Sequence, residues 1–292
     1  MEANGTRTRT KVLRTTRAAA VAAAAAVAAL SIGTASASAR TSFFAVSRQY
    51  SCLANQNVNA FLRANHANVL RLILSPQQAP AGEGIGCVRA AHAAGFKVYI
   101  SFQFANGWKP SQVASYFKRV LPAYAPFAWA VGVGNEQDLT SKNRNAQGTS
   151  SLSSRGRTMG QNYRADWNAA EPVLVKLAPH AIRVYGEFRP WRFTANKLGF
   201  AAGRPPGVQA IAAHCYHTKR AGGLEQIPQN AAWARSKRLP LWCSEMGPAI
   251  RKPTTPTWAV PDTWASWKAM VARVRAKSPN LQVTSYYYWP TF

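Results

Sequence analysis

Carboxylates are what this chain lacks most. Its 292 residues include 10 Asp and Glu against 36 Lys and Arg, a formal net charge of +26. Each acid found in an otherwise apolar setting therefore asks for a reason. Long apolar stretches are also missing: the longest, Ala18 to Leu30, has 13 residues, where a membrane-spanning helix needs about 20. No Gly/Ser or Pro linker divides the chain, and no short-period repeat marks a solenoid. No G-x-G-x-x-G follows the first β-rich run, so a dinucleotide site is not signalled. Cysteine is limited to Cys52, Cys87, Cys215 and Cys243, at spacings that do not point to zinc.

What is present begins with a leader. Arg7, Arg9, Lys11, Arg14 and Arg17 form a basic region ahead of the Ala/Val run, and A-x-A sites follow at Ala37 and Ala39. This is the layout of a secretory signal peptide over residues 1–39. The absence of an adjacent Arg-Arg pair gives the twin-arginine route little support. Cleavage would leave residues 40–292 with 31 basic and 9 acidic side chains, a net charge of +22 and no transmembrane anchor. Such a surface attracts polyanions such as anionic glycans or cell-wall polymers. In an exported chain the four cysteines can form disulfides, Cys52 with Cys87 or Cys215 with Cys243 among the pairings.

Eight short β-rich runs alternate with helical patterns: Ser42–Val46, Val69–Leu74, Val98–Phe102, Ala128–Val133, Ile182–Tyr185, Val208–Ala213, Leu239–Cys243 and Val283–Tyr288. Between them, Val113, Phe117, Val120 and Leu121 share a helical face, as do Met159, Tyr163, Trp167 and Ala170. The alternation predicts parallel β-sheet, either doubly wound or closed. The length favours a single α/β domain, a (β/α)8 TIM barrel over 40–292. With Phe292 four residues beyond the last run, the eighth helix is expected to be missing.

In such a barrel the C-terminal strand ends face the active site. Those ends carry Arg71; Gln103, Asn106 and Trp108; Asn135 and Glu136; Glu187, Arg189 and Trp191; His214, Tyr216 and His217; Glu245; and Tyr288 and Trp289. Glutamates, amides, histidines and aromatics on one rim suit a sugar cleft, since aromatic faces stack on pyranose CH groups and polar groups grip hydroxyls. Strict alternation would point Cys243 the same way as Glu245, making it a buried thiol rather than a partner of Cys215. Glu187 is expected to pair with Arg189. Trp108 and Trp191 are platform candidates, and Gly132 and Gly134 are expected to leave room beneath a sugar ring.

The rim resembles the clan of retaining (β/α)8-barrel glycoside hydrolases that includes many cellulases, β-mannanases and β-1,3-glucanases. Asn135-Glu136 matches that clan's strand 4 pair and Glu245 its strand 7 glutamate. The resemblance implies Glu136 as general acid/base and Glu245 as nucleophile. It also implies that Asn135 binds the sugar 2-hydroxyl, that Arg71 and Tyr216 orient Glu245, and that Trp289 floors the subsite at the cleavage point. His214 matches the His-x-Tyr arrangement on strand 6. Gln103 and the missing helix depart from the commoner members. No cofactor or metal is implied.

Retaining hydrolysis needs two carboxylates in different protonation states. Glu245 near Arg71 should stay ionised, and Glu136, beside a negative neighbour, should keep its proton. The reading is thus a secreted, endo-acting β-glycosidase on a polysaccharide. A transglycosylase could use the same residues. A non-catalytic wall-binding barrel would leave the paired glutamates without a role. A nucleic-acid binder would account for the charge but not for the acids and aromatics at strand ends.

Overall fold

A computed structural model of the chain describes residues 43–49, 58–64, 66–105, 107–137, 158–189, 192–216, 225–246 and 264–287. Eight strands close a parallel barrel in sequence order: β1 (Phe43–Gln49), β2 (Val69–Leu74), β3 (Lys97–Phe102), β4 (Ala130–Val133), β5 (Ile182–Phe188), β6 (Ala210–His214), β7 (Leu241–Met246) and β8 (Leu281–Tyr287). β8 pairs with β1 to complete the circle. Helices occupy the seven crossovers: α1 (Val58–Ala64), α2 (Ile85–Ala93), α3 (Pro110–Tyr124), α4 (Met159–Leu177), α5 (Thr194–Gly199), α6 (Gln226–Ser236) and α7 (Trp264–Ala276). No helix follows β8 among the described residues. None of these helices is long and apolar enough to cross a membrane.

Local chemistry sets the helix starts. Pro110 opens α3, where its missing N–H costs nothing and its fixed φ suits the first turn. Thr158 caps α4 in a reciprocal box with Gln161. The faces predicted by periodicity turn inward: Val113, Phe117, Val120 and Leu121 on α3, and Tyr163, Trp167 and Ala170 on α4, are buried.

Strand alternation sorts the apolar residues into two cores. Leu70, Leu72, Leu74, Val98, Ile100 and Phe102 face the helices. Val69, Tyr99, Ala130, Val184, Ala210, Ala212 and Trp242 fill the barrel interior. There the bulk of Trp242, stacked on Trp129 and edge-on to Tyr99, is matched by alanines on β4 and β6. Above this layer the interior turns polar, with Arg71, Ser101, His214 and Glu187 all buried.

Cys215 and Cys243 form a disulfide with Cα atoms 5.4 Å apart, against the expectation of a free Cys243 thiol. The reason lies in the pairing of β6 and β7. Ala213 pairs with Cys243 but His214 pairs with Glu245, so β7 carries one extra residue. That bulge breaks alternation: Cys243 faces the outer core while Glu245 turns to the barrel mouth. Cys87 is also disulfide-bonded; Cys52 lies outside the described residues. Replacing both Cys215 and Cys243 by Ser should lower stability by about 3 kcal/mol, read as a Tm drop of about 6–12 °C.

Candidate active site

The site is built around a buried cation. Arg71 projects from β2, with no exposed surface, and among the described residues it donates to four side chains. Its Nη1 donates to Glu245 Oε1 at 2.9 Å and its Nε to Ser101 Oγ at 3.0 Å. Its Nη2 donates to Asn135 Oδ1 and Glu187 Oε2, each at 2.5 Å. One guanidinium thus gathers the ends of β3, β4, β5 and β7. Burial opposes its charge, but Glu187 and Glu245 outweigh it and raise its pKa.

Glu245 is buried on β7, and both its oxygens are engaged. Oε1 takes the Arg71 bond, and Oε2 accepts from Tyr216 Oη at 2.6 Å and lies 3.3 Å from His214 Nδ1. Burial pushes this carboxyl up, yet the charges of His214 and Arg71 and the Tyr216 hydroxyl prevail and hold it below the usual glutamate range. It is ionised at neutral pH.

Glu136 reaches the same centre from the end of β4. One of its oxygens lies 2.9 Å from His214 Nδ1, and its side chain is 19% exposed against 5% for Glu245. The less buried carboxylate is the one open to a leaving group or a water. Its backbone is left-handed, φ 47, and its N–H donates to the Glu187 carbonyl at 2.9 Å. Gly134 at φ 86 makes the turn that precedes it. Tyr163 of α4 braces the two strand ends, donating to the Val133 carbonyl and accepting from the Gly186 N–H at 3.0 Å.

His214 stands between the carboxylates. Burial works against its charge, but Glu245 and the hydrogen bond to Glu136 raise its pKa above the ordinary imidazole value. This has a consequence for stability. A raised His214 stabilises the fold below about pH 6.5, and that contribution disappears as pH climbs through the folded value. A lowered Glu245 stabilises it above about pH 4.3, and that contribution disappears as pH falls. Tm should therefore be highest between these values. His214→Gln should flatten the alkaline limb, as read by calorimetry from about pH 4 to about pH 9.

Glu187 departs from the sequence reading. It is fully buried, and its carboxylate is bound by Arg71, by Tyr99 Oη and by Ser101 Oγ at 3.0 Å, not placed on the rim beside Arg189. A register shift between Gly186 and Phe188 turns it inward. The signal for this network was legible: Tyr99 and Ser101 alternate with apolar residues along β3, and Tyr99 pairs directly with Arg71.

Of the other expected site residues, Gln103 approaches the site, its amide 3.4 Å from the Asn135 carbonyl. Trp108 packs edge-on to Tyr116 of α3 and is not brought to the glutamate cluster. Asn106, Trp191, His217, Tyr288 and Trp289 lie outside the described residues.

Glu136, His214 and Glu245 place one ligating atom each within 4.8 Å of one another. A cation there would have to displace the donors already bound to both Glu245 oxygens. The arrangement as built suits proton transfer and nucleophilic attack: an ionised, oriented carboxylate facing a second, more open one.

No protein-family model matches the sequence, and no curated protein matches it. Solved structures do match. The catalytic domain of a mannanase from Streptomyces sp. SirexAA-E aligns at 13% identity and TM-score 0.57, over 85% of this chain and 75% of that one. A GH39 β-xylosidase from Caulobacter crescentus aligns at 12% and 0.58, over 86% and 63%. The GH39 enzyme from Xanthomonas axonopodis pv. citri aligns at 12% and 0.62, over 86% and 59%. The chain spans less than two thirds of the length of these two GH39 proteins. Its fold is the barrel on which these glycoside hydrolases are built.

Proposed function

We propose that the protein is a secreted retaining β-glycoside hydrolase that cleaves a polysaccharide, with Glu245 as nucleophile and Glu136 as acid/base. The carboxylate pair carries this reading. An oxygen of each lies within 4.8 Å of one of the other, a closest approach compatible with the roughly 5–5.5 Å separation of retaining pairs.

The chemistry follows from the contacts. Glu245, ionised and aimed by Arg71 and Tyr216, attacks the anomeric carbon as Glu136 protonates the departing glycosidic oxygen. The glycosyl ester that forms neutralises Glu245. Glu136, left as a carboxylate once its proton has gone to the leaving group, deprotonates the incoming water. Water attack regenerates Glu245 and releases a sugar of unchanged anomeric configuration. Asn135, held by Arg71, offers its amide to the sugar.

The barrel neighbours make β-1,4-mannan and β-1,4-xylan the first substrates to try, alongside β-1,3-glucan and uronate-bearing polymers. The leader over residues 1–39 and the Cys215–Cys243 disulfide both fit an oxidising extracellular setting. Reducing-end release across this panel, with NMR of the first-formed anomer, tests the reading. Retained configuration supports it, inverted configuration refutes the nucleophile assignment, and binding without release points to a non-catalytic barrel. Oligosaccharide products longer than the substrate would favour transglycosylation. The basic surface adds a separate expectation. Rising salt should weaken binding to an anionic polymer while sparing turnover of a small neutral glycoside, and equal losses would refute surface docking.

A further inference from the structure

We propose that Glu187 is a positioning residue whose buried charge sets how much of the Arg71 guanidinium reaches Glu245, and whose backbone holds Glu136. This rests on the hydrolase reading above.

The geometry is specific. Glu187 Oε2 takes Arg71 Nη2 at 2.5 Å, while the neighbouring Nη1 serves Glu245 Oε1 at 2.9 Å. Two buried carboxylates therefore divide one guanidinium. Glu187 Oε1 is met by the Tyr99 hydroxyl and by Ser101 Oγ, and Ser101 in turn accepts from Arg71 Nε at 3.0 Å. These contacts fix the guanidinium plane. On the main chain, the Glu187 carbonyl accepts the Glu136 N–H at 2.9 Å, and both residues sit at positive φ, 70 and 47. Such backbone strain persists only where surrounding contacts hold it.

Space has been left for this carboxylate. A Cβ at Gly132 would come within 2.0 Å of Glu187 Oε1 and 3.0 Å of the Tyr99 hydroxyl. The glycine in the β4 run thus accommodates Glu187, not a sugar ring. At Gly134 a Cβ would meet Gln137 Cγ at 2.6 Å.

The electrostatic consequence has a sign. Arg71 on β2 and Tyr99 on β3 meet the Glu187 carboxylate, Tyr163 on α4 lies within its field, Glu136 after β4 meets its backbone, and Glu245 on β7, with His214 on β6 against it, lies across Arg71. A negative Glu187 disfavours a second negative charge on Glu245 by drawing on Arg71, the cation the two share. Glu187→Gln leaves the whole guanidinium to Glu245. The acid limb of kcat/KM should then move down by on the order of one pH unit. kcat should fall about tenfold with little change in KM, because the nucleophile is over-stabilised. Tyr99→Phe keeps the ring that packs on Trp242 but removes a donor from Glu187. The carboxylate then leans harder on Arg71, and the limb should move up. Glu187→Asp, which keeps the charge, should restore most of the limb's position.

The experiment is the pH profile of all three variants, paired with carbon-13 NMR titration of the Glu245 carboxyl. Opposite displacements in Glu187→Gln and Tyr99→Phe support the proposal. Losses of rate with unmoved limbs and an unmoved Glu245 titration overturn it and leave Glu187 a structural residue. If Glu187→Gln does not fold, the Tyr99→Phe shift alone decides by its sign. If the wild type cleaves nothing, the hydrolase reading fails, while the NMR titration still supports or refutes the charge sharing.

Discussion

Glu245→Gln should lose kcat/KM by on the order of 10⁴ or more on every substrate the wild type cleaves, whatever its leaving group. The amide keeps the shape of the side chain: its oxygen can still accept from Arg71, which bonds Glu245 Oε1 at 2.9 Å, and its NH2 can donate to the Tyr216 hydroxyl, which lies 2.6 Å from Oε2. It cannot supply the negative oxygen that attacks the anomeric carbon. Because a better leaving group does not replace the missing nucleophile, an activated aryl glycoside should show as large a loss as the polysaccharide. Polymer binding should survive, since the change leaves the cleft's shape intact. Comparable losses of binding and turnover would mean the variant had collapsed around its buried cation rather than lost a nucleophile. A thermal melt run beside the kinetics separates the two.

Glu136→Gln should behave differently. Against a polysaccharide, whose leaving group is a poor alkoxide, it should lose about 10²–10⁴ in kcat/KM, the usual worth of a positioned acid. Against an aryl glycoside whose phenolate departs unaided, most of that loss should vanish from kcat/KM. Turnover should still be slow, because no base remains to activate water, so aryl release should show a burst followed by a slow steady state. Equal losses on the two substrates would refute the acid/base assignment. The contrast with Glu245→Gln tests the division of labour that the site geometry suggests: the 19% exposed carboxylate transfers protons and the 5% exposed one attacks.

Much of the fold was readable because parallel strands advertise themselves. The β-rich run Val69–Leu74 coincides with β2, and the other runs lie within a few residues of their strands. A strand buried on both faces carries an apolar signal that survives without knowing its neighbours. The apolar faces of α3 and α4 were equally plain, since a period of 3.6 residues is a local property. At the site, Arg71, Asn135, Glu136, His214, Tyr216 and Glu245 could be gathered in advance because a barrel brings strand ends to one mouth, and the structure places them within a connected set of hydrogen bonds.

What alternation could not reveal was where alternation fails. Extra residues in β5 and β7 reverse the facing of everything beyond them. They turn Glu187 and Glu245 into the interior and leave Cys243 in the outer core, where it bonds Cys215. A bulge is a property of two strands in register, and neither strand shows it alone. The sharing of Arg71 between Glu187 and Glu245 is likewise decided at a distance, by groups 116 and 174 residues away along the chain. By itself the sequence determined the order of elements, the barrel they close into and the residue types at its mouth, because those follow from local periodicity and chain connectivity. Only the tertiary structure decided which carboxylate faces the cleft and which lies beneath the cation, because that depends on register and on the competition of buried charges for one guanidinium.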